Sequence, residues 1–125
     1  MRCGKPLQNE SCEYCADCQE KASNVVQGRS LWLHQDPVPE SVYRFKYHNR
    51  RWYGVLFARE MAVYYGKWIS SKKIEAIIPV PLHPSKKRKR GFNQAEILAR
   101  ELSEQTGIPV YTDVLFRIRK TSPQK

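Results

Sequence analysis

Apolar and polar positions change their period several times along this chain, and each change marks an element. From Arg51 to about Ser70, the residues Phe57, Ala58, Met61, Ala62, Tyr65 and Trp68 recur at three- and four-residue steps. That period predicts an amphipathic helix whose stripe is core. Ile74-Glu-Ala-Ile-Ile-Pro-Val-Pro-Leu82 follows, a short apolar run with β-branched side chains. Its length, with Pro79 and Pro81 closing it, predicts a buried strand that ends sharply. His83 to Phe92 then reads as a loop carrying five consecutive cations and Gly91. Helix signals arrive together at Asn93, an N-cap with Glu96 at N3, while Phe92 can staple onto Ile97. Ala95, Leu98, Ala99 and Leu102 form the expected buried face, and Gly107 with Pro109 marks the stop. Val110 to Ile118 reads as a second strand. Strand, loop, helix and strand make one unit, and strands joined through a helix are normally parallel. The expected class is α/β with a parallel sheet.

Upstream the pattern is less regular. Val42 to Tyr47 alternates Val, Arg, Phe with Tyr, Lys, Tyr, and fits a short strand or the lead into a helix. Residues 23–41 hold Leu31, Trp32 and Leu33, then Asp36-Pro-Val-Pro-Glu40, whose prolines oppose regular structure. The expected organisation is a cysteine-rich cap over residues 1–22, a connector over 23–41 and the main body over 42–125.

With 125 residues, 41% hydrophobic and 11% aromatic, the chain can bury a core and is not disordered throughout. No stretch approaches the roughly 20 apolar residues of a membrane span, and Met-Arg-Cys-Gly-Lys-Pro lacks the apolar core of a secretory signal. The expectation is a small, soluble, cytoplasmic domain. It is also strongly basic, with 22 Lys and Arg against 12 Asp and Glu and a net charge of +10. Residues 1–22 carry more acid than base, so the excess lies in the remainder. Three runs without an acidic residue hold much of it: Arg44, Lys46, Arg50 and Arg51; Lys86, Lys87, Arg88, Lys89 and Arg90; Arg117, Arg119, Lys120 and Lys125. Such clustering fits a polyanionic or phosphate-bearing partner, while any single run is equally a solvated surface.

All four cysteines lie in the first 18 residues, at Cys3, Cys12, Cys15 and Cys18. The repeated two-residue gap lets thiolates grip one tetrahedral ion as the backbone turns back, so zinc is the favoured reading. Disulfides fit a cytosolic chain poorly. Iron–sulfur binding would want a downstream Cys-Pro, which is absent, and unligated thiols stay open.

The strand–loop–helix unit supplies the candidate chemistry. The helix start at Asn93 offers unpaired amides and the positive end of the dipole, preceded by Lys86 to Arg90 and by Gly91, which permits close backbone approach. A capped helix behind an ordinary surface loop is the plainer alternative. Neither a P-loop nor a dinucleotide glycine motif occurs. His34, His48 and His83 form no credible nucleophile pair with a cysteine, and His83 beside Pro84 reads as structural.

Ile78-Pro-Val-Pro-Leu-His-Pro84, continuing to Lys89-Arg-Gly-Phe-Asn-Gln-Ala-Glu96, closely resembles the signature of the ComF competence-protein family. Cys3-Gly-Lys-Pro-Leu7 and Cys15-Ala-Asp-Cys18 resemble its finger, and Tyr43-Arg-Phe-Lys-Tyr47 its Arg-Phe-Lys segment. Arg90-Gly-Phe-Asn-Gln94 is the most specific piece. The resemblance implies a type I phosphoribosyltransferase-like domain behind a small zinc finger, and a part in DNA uptake during natural transformation. By it, Pro79 to Pro84 would face pyrophosphate, with Lys89, Arg90, Gly91, Asn93 and Gln94 lining the same pocket. Arg119, Lys120, Thr121 and Gln124 would open the segment that follows. It also implies phosphoribosyl diphosphate as a ligand of the full-length family, and a location at the inner face of the membrane with the DNA-uptake machinery.

Two departures qualify these expectations. The family finger opens with a Cys-x-x-Cys whose first cysteine would precede Met1, so Cys12 would substitute or the site would be damaged. The acidic phosphoribosyl-diphosphate motif and its Thr-Thr-Gly turn would lie beyond Lys125. The expectation is therefore a family member truncated at both ends, with no independent transferase activity and only part of the parallel sheet. The alternative is a zinc-knuckle module for single-stranded nucleic acid. In that reading Tyr43, Tyr47, Trp52 and Tyr53 stack bases between Arg44, Lys46, Arg50 and Arg51, with Lys86, Lys87 and Arg88 on phosphates. Aromatics near a helix start are as readily core.

Overall fold

The computed structural model describes Asn9, residues 14–20 and residues 26–121. Two compact units divide the chain, Met1–His34 and Gln35–Lys125. In the first, a short helix α1 spans Ala16–Glu20. The second unit carries α2 (Val38–Tyr47), α3 (Trp52–Ser71), α4 (Pro84–Arg90) and α5 (Gln94–Thr106).

α2 begins inside the segment expected to be an irregular connector. The prolines explain why: Pro37 sits at the cap and Pro39 in the first turn. Amides there have no intrahelical partner to lose, and the fixed proline φ already suits a helix. The Ser41 hydroxyl adds a bond to the Pro37 carbonyl at 3.0 Å. After Tyr47 the chain reverses through Asn49, whose φ of 52° is left-handed, a conformation asparagine tolerates. α3 then starts one residue from its expected position.

α2, α3 and α5 pack around Phe45, Phe57 and Phe92, with Val42, Tyr53, Ile97 and Leu98 against them. Phe45 and Phe57 meet edge to face at 5.7 Å, the arrangement their ring quadrupoles favour. Gly54 sets how closely α3 approaches α5. A Cβ there would lie 2.5 Å from Ile97 Cγ2 and 3.3 Å from Phe45 Cζ. The predicted stripe of α3 is the face turned inward, with Phe57 and Ala58 buried and Met61, Ala62, Tyr65 and Trp68 half-buried. α5 starts at Asn93 and stops at Gly107, whose φ of 73° suits the left-handed C-cap.

Among the described residues the parallel α/β sheet is not formed, and the phosphoribosyltransferase-like sheet implied by the resemblance is not supported. The described residues contain no strand and one isolated parallel bridge, Ile77 with Val110. It rests on Ile77 N–H to the Pro109 carbonyl at 2.8 Å and Tyr111 N–H to the Ile77 carbonyl at 3.0 Å. Pro79 and Pro81 have no N–H with which to extend the ladder. Beyond the bridge, Val114, Leu115, Phe116 and Ile118 are exposed, so no second layer packs on that segment.

The expected loop from His83 to Phe92 is also corrected, because most of it is α4. Pro84 occupies the first helical turn, and the Ser85 amide donates to His83 Nδ1 at 3.3 Å. Gly91, at φ 81°, closes the helix by donating to the Lys87 carbonyl. Lys87, Arg88, Lys89 and Arg90 fill the last turn, where cations favour the negative end of the helix dipole. A run of lysine and arginine between a proline and a glycine is thus a capped helix, not an open loop.

Candidate functional site

The cations of the short α4 divide between two surroundings. Toward α2, the Arg90 guanidinium lies 5.0 Å from the centre of the Tyr47 ring and donates to Gln94 Oε1 at 2.6 Å. Gln94 is buried and passes the connection on, its Nε2 donating to the Lys46 carbonyl at 3.3 Å. Arg51, from the turn after α2, lies over the Phe92 ring at 4.8 Å, its Nε held by Asn49 Oδ1 at 2.9 Å. The first two basic runs therefore meet at the end of α2. Cations over ring faces are attracted by the ring quadrupole while keeping N–H groups for an anion.

Exposed rings surround this cationic end. Tyr43 stands 4.9 Å from Tyr47 and 5.4 Å from His48, and Trp52 stacks on Tyr53 at 4.0 Å. Tyr43, Tyr47 and Trp52 are each about half exposed, at 52%, 55% and 55%. Tyr53 differs, because it packs against the phenylalanine core. Arg44, Lys46 and Arg50 are exposed. Arg44 is paired with Glu40 at 2.7 Å, and that hydrogen bond raises its pKa further, so its charge is partly answered within α2.

The other side of α4 borders an open groove of about 580 Å³. Its apolar walls come from Pro79, Pro81 and Leu82 and from the segment Leu115 to Ile118, with Lys87, Arg88 and Arg117 among its lining residues. Asn93 joins the groove to α5: its Oδ1 accepts the Ala95 amide at 3.1 Å, and its Nδ2 donates to the Val80 carbonyl at 3.0 Å. Lys86 Nζ reaches the Thr121 carbonyl at 2.8 Å, and Arg117 bonds the Thr121 hydroxyl. Glu96 does not complete the expected reciprocal cap. Its carboxylate accepts from Arg100 at 2.9 Å and lies 3.8 Å from Lys87 Nζ.

The predicted phosphate residues are thus neighbours, but in different employment. Arg90 and Gln94 bind each other, Asn93 serves both the cap and Val80, and Gly91 gives its amide to Lys87. Lys89 is exposed. Of the nucleic-acid candidates, Lys46, Arg50 and Arg51 share the end of α2, Lys87 and Arg88 line the groove, and Lys86 reaches the Thr121 carbonyl. Arg119 and Lys120 are exposed, and Gln124 and Lys125 lie outside the described residues. Sequence reasoning missed Phe92 as a seat for Arg51 and the Leu115 to Ile118 wall, since neither carries a local signal.

Of the four predicted metal ligands, Cys3 and Cys12 lie outside the described residues. Cys15 and Cys18 are half-buried one helical turn apart, and the Cys18 and Gln19 amides donate to the Cys15 carbonyl at 2.9 and 3.1 Å. Residues three apart on such a turn share a face, which suits two thiolates on one ion. Among the described residues no three His, Cys, Asp or Glu side chains cluster as a metal site.

No protein-family model and no solved structure matches the chain. Two curated proteins do. Competence protein F of Haemophilus influenzae is 31% identical over 126 residues, covering 98% of this chain and 55% of that protein. Competence protein ComFC of Bacillus subtilis is 26% identical over 114 residues, covering 86% and 46%. The chain spans about half the length of the curated relatives it matches. With an alignment that runs almost from end to end and includes the Pro79 to Glu96 region, this chain belongs to the ComF family of competence proteins.

Proposed function

We propose that this chain handles single-stranded DNA during competence, through the cationic and aromatic end of α2. The observation that carries this reading is the meeting of Arg51 and Arg90, each over a ring, beside exposed Tyr43, Tyr47 and Trp52. Phosphates would be met by Lys46, Arg50, Arg51, Lys89 and Arg90. Bases would stack on the exposed rings, which is sequence-tolerant because every base has a π face. A DNA-uptake protein needs that tolerance. Binding of a labelled oligothymidine tests it. Tyr43→Ala with Tyr47→Ala should cost about 1–3 kcal/mol for each base released. Unchanged affinity in that variant would remove the stacking argument.

A second reading rests on the groove. Lys87, Arg88 and Arg117 beside apolar walls suit a small phosphorylated ligand, and pyrophosphate or phosphoribosyl diphosphate is what the family resemblance suggests. Pyrophosphate at millimolar order should shift amide resonances of residues 87–96. No shift would leave the groove without an anion.

For the cysteines we propose one zinc ion held by Cys3, Cys12, Cys15 and Cys18, supported by the turn that joins the last two. When bound, the ion would supply tetrahedral cross-linking of the first unit and no redox chemistry. Zinc near one per chain, lost in Cys15→Ser, is the expected result.

A further inference from the structure

The groove beside α4 carries features that a bare inorganic anion would leave idle. Leu115, Phe116 and Ile118 wall it and are exposed, Phe116 by 75%. Lys87, Arg88 and Arg117 stand among them, and the one carboxylate among the described lining residues is Glu96. That carboxylate is already answered by Arg100 at 2.9 Å. Positive charge beside an exposed ring matches a ligand with a phosphate at one end and a flat, apolar-faced body at the other. A nucleotide has that build, since every base offers a π face.

The size and place of the groove narrow which nucleotide. A volume of about 580 Å³ is the scale of one small ligand, not of a strand. Lys87, in the groove, and Arg90, over the Tyr47 ring, stand three positions apart on α4. Residues at that spacing are neighbours on a helix surface, about 5–6 Å apart at Cβ. A strand lying along the end of α2 is therefore one short step from placing its last nucleotide in the groove. The phosphate sets such a nucleotide apart. An internal diester carries one negative charge, whereas a terminal monoester carries about 1.5 to 2 at pH 7 and three acceptor oxygens. Arg117 bonds the Thr121 hydroxyl through one terminal nitrogen and has further N–H groups for such oxygens.

We infer that the groove recognises the phosphorylated end of a single DNA strand. Lys87, Arg88 and Arg117 hold the terminal phosphate monoester, and the base of that nucleotide lies against Phe116 and Leu115. The nucleotides behind it occupy the cationic and aromatic end of α2, so the inference rests on the DNA reading above. A strand with hydroxyl ends uses the end of α2 alone. The groove adds affinity only when an end carries phosphate.

The test titrates the full chain with three internally labelled oligothymidines of one length, read by fluorescence anisotropy. One has hydroxyl ends, one a 5′-phosphate and one a 3′-phosphate. At least one phosphorylated strand should bind about tenfold tighter than the hydroxyl-ended strand, and the preferred one identifies the end. The triple variant Lys87→Gln, Arg88→Gln, Arg117→Gln should bring that ratio to about one, with an unchanged circular dichroism spectrum. Phe116→Ala, at an exposed position, should lower the ratio in part. Equal binding of the three strands overturns the inference and leaves the DNA reading standing. An advantage that survives the triple variant also overturns it, since the general positive field of the chain would then be its source. No binding of any strand breaks the DNA reading itself, and the inference with it.

Discussion

On one side of α4, Arg90 is bracketed by the Tyr47 ring and the buried Gln94, with Arg51 over Phe92 close by. On the other, Lys86 is drawn to the Thr121 carbonyl and Lys87 toward Glu96, beside an apolar groove. The five cations are contiguous in sequence, yet Lys86, Lys87 and Arg90 meet different partners. The α2 side combines positive charge with exposed rings, as an unpaired nucleic-acid strand requires. The groove side combines it with apolar walls and backbone carbonyls, which suits a small ligand. A charge run is therefore not one site, and its partner is set by what each cation lies against.

The harshest way to break the comparison is to remove what both sides stand on. Phe45→Ala should cost about 3–5 kcal/mol, because it empties the centre of the phenylalanine cluster. A steep fall in the thermal midpoint by circular dichroism, with loss of both kinds of binding, is expected. Gly54→Val should cost less, on the order of 1–3 kcal/mol, by forcing α3 away from Ile97 and Phe45. A midpoint as high as the parent's would mean the close approach is not limiting.

Asn93 separates the two sides more finely. Asn93→Ala should lose about 1–2 kcal/mol through the cap. Asn93→Ser keeps a cap but has no second group for the Val80 carbonyl, so it should recover stability while loosening the groove wall. Pyrophosphate shifts should then weaken with DNA affinity retained. Equal loss of both would show the sides to be coupled. The smallest effect belongs to Glu40→Gln. The pair it breaks is exposed, so the thermal midpoint should hardly move. Arg44 is released, and DNA affinity should rise slightly at low salt.

The parts legible from sequence were those whose causes are local. Asn93 and Gly107 bound α5 through groups two to four residues away, and the α3 stripe faces the core as its period requires. α4 was hidden because Pro84, a cationic run and Gly91 are also what a surface loop contains. α2 was hidden because prolines break helices in the middle yet start them at the end. The strands failed for a non-local reason: apolar, β-branched residues need a ladder and a second layer. Pro79 and Pro81 deny the first, and the exposed residues after Val110 lack the second. At the site, Arg90 and Gln94 were legible as a motif, but the Gln94 bond to Lys46 spans 48 positions and could not be read from either residue.

The central claim is that the α2 side of α4, rather than the whole basic run, grips the DNA strand. Its most direct test is the salt dependence of oligothymidine binding by two triple variants. One replaces Lys46, Arg51 and Arg90 with glutamine, and the other replaces Lys86, Lys87 and Arg88. Each phosphate contact on a single strand adds about 0.7 to the slope of log affinity against log salt. The first variant should therefore flatten the slope by about 2, and the second should leave it nearly unchanged. Equal flattening by both, or flattening only by the second, would contradict the account.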